Sequence, residues 1–182
     1  KCNHILKWYE LIPIFSYFLQ RGKCNNCKTK LSILYPILEL GTGILFAVSY
    51  HSFKISYELV ISLTLISLFM LVIVSDINYL IIPDRFIVVS SIIIFIMKVL
   101  DQGLKNGLIQ VGYGLLSFSL MYLVMLLGNF LFKKESLGGA DIKLMFVVGL
   151  TLDPMLGIIV LFLSSIIALP VSLIVLIKNK EH

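Results

Sequence analysis

Two aspartates sit where an apolar run meets a polar break. Asp76 closes one such run and opens Asp76-Ile77-Asn78-Tyr79-Leu80-Ile81-Ile82-Pro83-Asp84, while Asp141 follows Gly138-Gly139-Ala140 and leads into Ile142-Lys143-Leu144-Met145. An ionisable group at the edge of an apolar segment is costly and usually functional. Brought into contact, two carboxylates cannot both ionise easily, and the pair titrates as a unit. The ionised member can then deprotonate a water while the protonated member donates to a scissile carbonyl, a hydrolysis that needs no metal. Taken singly, each aspartate also reads as a helix cap, and Asp141 at a helix start gains from the helix dipole. The small residues Gly138, Gly139 and Ala140 allow a sharp backbone turn and close approach of a partner or an extended substrate. Other hydrolytic patterns are missing: there is no H-E-x-x-H, no G-x-S-x-G, and no Asp-Thr-Gly or Asp-Ser-Gly. Ser136 and Lys143 have no local support as a Ser–Lys pair.

The second constellation is sulfur. Cys24-Asn25-Asn26-Cys27 is a C-x-x-C, and Cys2 lies upstream in the same polar stretch. In a cytoplasmic loop, where disulfides are disfavoured, this spacing suits tetrahedral zinc held by Cys2, Cys24 and Cys27. The fourth ligand is His4 or a cysteine upstream of the chain. Reduced thiols or a redox pair are the alternative readings.

The elements that must position these groups are membrane helices. Of the 182 residues 59% are hydrophobic and only 14% charged, with a mean hydropathy of +1.01; soluble domains carry about 25% charged residues. A soluble fold of this size has too little interior for so much apolar surface, which sets aside a soluble enzyme and a nucleic-acid module. Apolar runs at roughly 32–50, 57–75, 86–100, 108–132, 141–152 and 155–177 predict an all-α polytopic transmembrane bundle of about six spans. Before it comes a small cytoplasmic cysteine region, residues 1–31, and the membrane domain covers 32–182. The net charge of +5 is then a topology signal. With residues 1–30 inside, twelve basic residues fall inside and three outside, namely Lys54, Lys98 and Lys105. Two spans separate Asp76 from Asp141, so both carboxylates fall on the cytoplasmic face.

Together these stretches resemble the type IV prepilin peptidases, polytopic aspartic proteases of the GxGD type that mature pilin and competence pseudopilin precursors. The resemblance rests on Tyr9-Glu10-Leu11-Ile12-Pro13 with Ser16-Tyr17, on Arg21-Gly22-Lys23-Cys24-Asn25-Asn26-Cys27, and on Tyr35-Pro36 with Glu39-Leu40. It continues through Asp76 to Ile82-Pro83-Asp84 and Gly138-Gly139-Ala140-Asp141-Ile142-Lys143-Leu144, so it covers essentially the whole chain. It implies that Asp76 and Asp141 are the two catalytic aspartates, with Ala140 in place of the second Gly of GxGD. It implies too that Cys24 and Cys27 are the second pair of a four-cysteine site, and that Cys2 belongs to the first pair, its partner lying three positions earlier. The chain begins in mid-motif and is expected to be a fragment that lacks a first membrane helix. The implied substrates are prepilin or pseudopilin precursors, cut on the cytoplasmic side of the bacterial inner membrane after a Gly that ends a short basic leader. Proteolysis needs no cofactor, the zinc is structural, and S-adenosylmethionine serves family members that also methylate the new N-terminus.

Two other classes fit the aspartates or the cysteines separately. A transporter would use Asp76 and Asp141 as a proton or ion relay and would place acids nearer mid-membrane. A non-catalytic assembly factor would need only the cysteine loop. Among the remaining polar residues, Glu39 is expected to face the bundle interior, with a donor-binding or a helix-packing role. Asp84 is expected to cap the helix starting near Arg85, Lys143 to anchor its helix end to lipid headgroups, and His51 to be solvated.

Overall fold

Hydrocarbon offers the backbone no hydrogen-bond partner, so a chain of this composition must pair each N–H with a C=O of its own segment. The computed structural model follows that rule. It describes residues 2, 5, 7–79, 82–132 and 138–152 and, beyond these, 155–157, 159, 160, 163, 166 and 170. Among the described residues a 3₁₀ turn, Trp8–Leu11, is followed by the helices α1 (Phe15–Leu19), α2 (Leu34–Phe53), α3 (Tyr57–Tyr79), α4 (Asp84–Phe132) and α5 (Gly139–Thr151). The one extended pairing among them is an isolated antiparallel bridge between Lys23 and Lys30. The chain falls into two compact units, Lys1–Asn78 and Tyr79–His182.

In the first unit, α2 stops where Lys54 takes a φ of 53°. The Ser56 hydroxyl then accepts the Leu59 N–H at 3.2 Å and starts α3 as an N-cap would. A hydrogen bond of 2.8 Å between Ser49 and Ser62 ties α2 to α3 beside this turn. Farther along, the two helices leave an apolar groove lined by Leu38, Phe46, Met70, Leu71 and Val74. Only Ile61 and Leu68 of α3 are buried. With 23 residues, α3 is about 35 Å long at 1.5 Å per residue, enough to cross a hydrocarbon layer of about 30 Å.

In the second unit the expected runs 86–100 and 108–132 appear as one element, α4, broken at Gly103 (φ 83°, ψ 164°). That backbone conformation belongs to glycine. The break is a reversal. A methyl built on Gly107 would stand 3.6 Å from the Val99 Cα, whereas eight residues of straight helix span about 12 Å. Ile87, Val88 and Ile92 of the first arm consequently line one cavity with Leu115 and Phe118 of the second. Against this hairpin packs α5, whose Ile142, Met145, Val147, Val148 and Leu150 are buried with Ile87 and Ile94 of α4. With 13 residues, or about 20 Å, α5 is too short to span a bilayer.

The expectation of six spans is met in part. Among the described residues two helices are long and apolar enough to cross a membrane, Tyr57–Tyr79 and the Asp84–Phe130 stretch, the second folded into two arms. Most of the run 155–177, together with Lys133, Lys134, Ser136, Lys178 and Lys180, lies outside the described residues.

The α4–α5 contact is a backbone-to-backbone approach. A methyl on Gly149 would stand 2.7 Å from the Tyr113 carbonyl oxygen, while one on Gly112 would meet no atom within 4 Å among the described residues. Gly149→Ala should therefore destabilise the second unit by about 1–3 kcal/mol, as overpacking does, and Gly112→Ala should not. Thermal unfolding of the two variants in detergent checks this: a Gly149→Ala protein as stable as wild type would contradict the packing described.

Candidate functional site

The first turn of α5 carries Asp141. Gly138 is the N-cap residue, with φ −71° and ψ 136°, and the Asp141 N–H donates to the Gly138 carbonyl at 3.1 Å. Asp141 is thus the third residue of the helix, in the positive field of its N-terminus. A methyl on Gly138 would lie 3.5 Å from the Asp141 Oδ2, and one on Gly139 would meet nothing within 4 Å among the described residues. The sharp turn expected at these glycines needs no glycine-only backbone conformation, since that of Gly138 is open to any residue. What they supply is the lack of a side chain beside the carboxylate, which a methyl at 138 would touch. Ile142, the next residue, is buried and holds the turn in place, while Asp141 itself is exposed.

Asp76 lies within the last turn of α3 rather than beyond its end, and is exposed. It belongs to the first unit and Asp141 to the second. Asp84 opens α4, as its expected place at a helix start requires, but its carboxylate does not serve as a plain cap. Lys143 donates to both of its oxygens, at 2.7 and 2.8 Å. Lys143 is accordingly not the headgroup anchor expected of it. The partners are 59 residues apart in sequence, and neither position announces the other.

The three cysteines come together. The Cys2 and Cys24 sulfurs are 3.8 Å apart, and all three ligand atoms lie within 4.8 Å of one another. Sulfurs at about 2.3 Å from a tetrahedral zinc are about 3.8 Å from each other, so the donor set fits three corners of such a site. His4, the other ligand considered, lies outside the described residues. The loop is built to present the cysteines. The Lys23–Lys30 bridge closes its base, the Cys24 N–H donates to the Thr29 carbonyl at 2.9 Å, and the Lys28 N–H donates to the Cys24 carbonyl at 3.0 Å. The Thr29 side chain, 3.0 Å from the Cys27 sulfur, is the largest influence on that thiol. With the Thr29 N–H and the other two cysteines, it lowers the Cys27 pKa to about 6. Cys27 is therefore a thiolate, the form that binds metals, at neutral pH.

Glu10 was not singled out by sequence reasoning. It is buried, accepts the Lys7 N–H at 2.9 Å, and accepts the Asn25 side-chain amide at 2.6 Å. The available signal was that Glu10 is the only acid in residues 1–30. Glu39 lines the groove between α2 and α3. It is exposed and accepts the Ile14 N–H at 2.7 Å, holding a residue whose φ of 65° is unusual for a β-branched side chain. Glu10, Tyr17, Asn25 and Glu39 line a cavity of about 160 Å³ beside the cysteine loop. His51, expected in a short outside loop, is exposed but lies in the last turn of α2.

A helical protein with membrane-length helices and an N-terminal cysteine knuckle is the class that fold and site define. Residues 1–53 match the bacterial peptidase A24 N-terminal domain, and residues 63–173 match the type IV leader peptidase family. The chain belongs to the type IV leader peptidase family. It is 34% identical over 164 residues to a prepilin leader peptidase/N-methyltransferase of Myxococcus xanthus, covering 87% of this chain and 48% of that protein. Proteins of the same name from Bacillus subtilis (32% over 168 residues, 91% of this chain and 64% of the relative) and Neisseria gonorrhoeae (31% over 190 residues, 100% and 63%) are similar to it as well. The chain thus spans about half to just under two thirds of the length of these relatives. No solved structure matches it.

The lowered Cys27 pKa gives a signed expectation for metal-free protein. Thiolate is the reactive form, so alkylation of Cys27 should be fast at pH 7 and slow as pH falls through about 6. Thr29→Val removes the largest stabiliser of the thiolate and should move that midpoint upward. Mass-spectrometric alkylation profiles at each cysteine measure both, and an unchanged midpoint in Thr29→Val would contradict the assigned cause.

Proposed function

We propose that the chain forms the peptidase part of a membrane-embedded aspartic endopeptidase that removes the leader from prepilin-type precursors, with Asp76 and Asp141 as its catalytic pair. One observation carries this reading: the leader-peptidase match, residues 63–173, includes both aspartates, and each stands within one turn of a helix end. Helix ends are where a membrane helix meets water, the co-substrate of hydrolysis. A proton relay would favour acids in mid-span, so the same placement argues against the transporter reading. The cytoplasmic side is supported by the excess of basic residues up to Lys143, ten inside against three outside, which does not depend on α5 crossing. The reversal at Gly103 also returns the two ends of α4 to one side.

In this reading the two carboxylates share a proton. The ionised one takes a proton from water as that water attacks the scissile carbonyl, and the protonated one donates to the carbonyl oxygen. The proton then passes to the departing amine. The absence of side chains at Gly138 and Gly139 lets an extended substrate backbone come close to Asp141. The substrate's own apolar helix lies in lipid, so the cut falls at its cytoplasmic border, after the Gly that ends a basic leader. The multi-pass inner membrane is the corresponding location.

Zinc, bound through Cys2, Cys24, Cys27 and a fourth ligand outside the described residues, would fasten the N-terminal segment to the loop, with no part in the cleavage chemistry. N-methylation by S-adenosylmethionine, the second activity in the relatives' name, is not assigned to this chain. The cavity of about 160 Å³ beside the loop is smaller than the roughly 300–1,000 Å³ usual for sites of small molecules and cofactors.

Asp76→Asn and Asp141→Asn should each abolish cleavage of a model prepilin by the full-length protein in detergent. The double variant should be no worse, because members of one catalytic unit are not additive. Cleavage retained by either properly inserted single variant would reject the pair. Elemental analysis should find one zinc per full-length protein, reduced in Cys24→Ser and Cys27→Ser; metal-free wild type would reject the zinc assignment.

A further inference from the structure

The ion pair between Lys143 and Asp84 joins the fifth residue of α5 to the first residue of α4, entirely within the second unit. We infer that it is a positioning latch for Asp141. The inference rests on the proposed catalytic role of Asp141 and adds two residues to that machinery.

Successive residues of a helix are about 100° apart around its axis and 1.5 Å along it. Asp141 and Lys143 therefore flank Ile142 on either side and are about 3 Å apart in height. Ile142 is buried against the hairpin and sets which face of α5 points inward. Met145, Val147, Val148 and Leu150 pack the rest of α5 in the same way, but in its first turn only Ile142 is buried, and apolar contact is not directional. The bond from Lys143 to both Asp84 oxygens is directional, and it acts on the opposite flank from Asp141. Drawing Lys143 toward α4 fixes the N-terminal end of the helix and, with it, the direction in which the Asp141 carboxylate points.

The environment of the pair separates positioning from stability. The Lys143 and Asp84 side chains keep 46% and 62% of their surface exposed, and ion pairs that exposed contribute little to folding. Asp84 also follows Asp76 by only eight positions. The same latch thus secures Asp141 to the start of the helix that the Asp76 segment leads into.

The test uses full-length protein and a model prepilin, with kcat, KM and thermal midpoint measured for each variant. Misplacing a catalytic group by about 1 Å can cost roughly a hundredfold in rate. Lys143→Met and Asp84→Asn should accordingly lower kcat at least about tenfold, with KM within about twofold of wild type and an unchanged thermal midpoint. Their double variant should be no worse than either single one, and the exchange Asp84→Lys with Lys143→Asp should recover part of the lost kcat. Wild-type kcat in Lys143→Met overturns the latch. So does a loss that follows a lowered midpoint, or failure of the variant to fold, because either makes the pair a stabilising contact only. Asp141→Asn in the same series separates the two ideas. If it still cleaves, the catalytic assignment falls whatever the latch variants do; if it is inactive while Lys143→Met is not, the latch alone falls.

Discussion

An unpaired backbone amide in hydrocarbon costs several kcal/mol, and this constraint decides where polar chemistry can stand in the molecule. Inside the helices several hydroxyls turn back onto their own backbone. Thr42 donates to the Leu38 carbonyl at 2.6 Å, Thr64 to Val60 at 2.7 Å, Ser67 to Leu63 at 2.8 Å and Ser91 to Ile87 at 2.8 Å. Such groups are satisfied within one helix and are not offered to a substrate. The carboxylates with chemical potential are at the ends: Asp76 in the last turn of α3, Asp84 and Asp141 in the first turns of α4 and α5. A hydrolase working on a membrane-anchored substrate needs its acids at that boundary, where water is available and the apolar part of the substrate stays in lipid.

The same solvent changes what holds the helices together. Lipid tails are as apolar as leucine, so burying leucine between helices gains little there, and close packing has to supply the attraction. The second unit shows how. Gly149 lies so near the Tyr113 carbonyl that no methyl fits between them, and Gly114 approaches the Phe146 carbonyl almost as closely. The backbones of α5 and the second arm of α4 are in contact, and the buried face of α5 from Ile142 to Leu150 follows from it. Asp141 and Lys143 are thereby mounted on one of the best-packed helices among the described residues, although they are themselves exposed.

Much of this was legible because apolar length is a strong signal. The runs 32–50, 57–75 and 141–152 correspond to Leu34–Phe53, Tyr57–Tyr79 and Gly139–Thr151, and the break between 100 and 108 corresponds to the reversal at Gly103. C-x-x-C spacing is local, and it led to Cys24 and Cys27 and on to Cys2. Pairings between distant segments were not legible. Lys143 and Asp84 looked like an anchor and a cap because each was read against its own helix, and nothing in a sequence measures a separation of 59 residues in space. Glu39 was legible in part: an acid in an apolar run reads as facing inward, and this one lines the groove between α2 and α3, but it lies near the helix start and reaches back to Ile14. Residue type was right in each case, and the partner was missing.

Glu10 shows how the cysteine loop is held apart from any metal. Burying a carboxylate is costly unless its oxygens are hydrogen-bonded, and both Glu10 oxygens have donors, the Lys7 N–H and the Asn25 amide. Asn25 sits between Cys24 and Cys27, while Lys7 precedes the 3₁₀ turn and lies five positions after Cys2. One buried acid thus ties the segment that brings Cys2 to the segment that carries the other two cysteines. The approach of the Cys2 and Cys24 sulfurs is therefore supported by protein hydrogen bonds on both sides. A site prepared in this way loses less conformational freedom when a metal binds, because part of the ordering is already done.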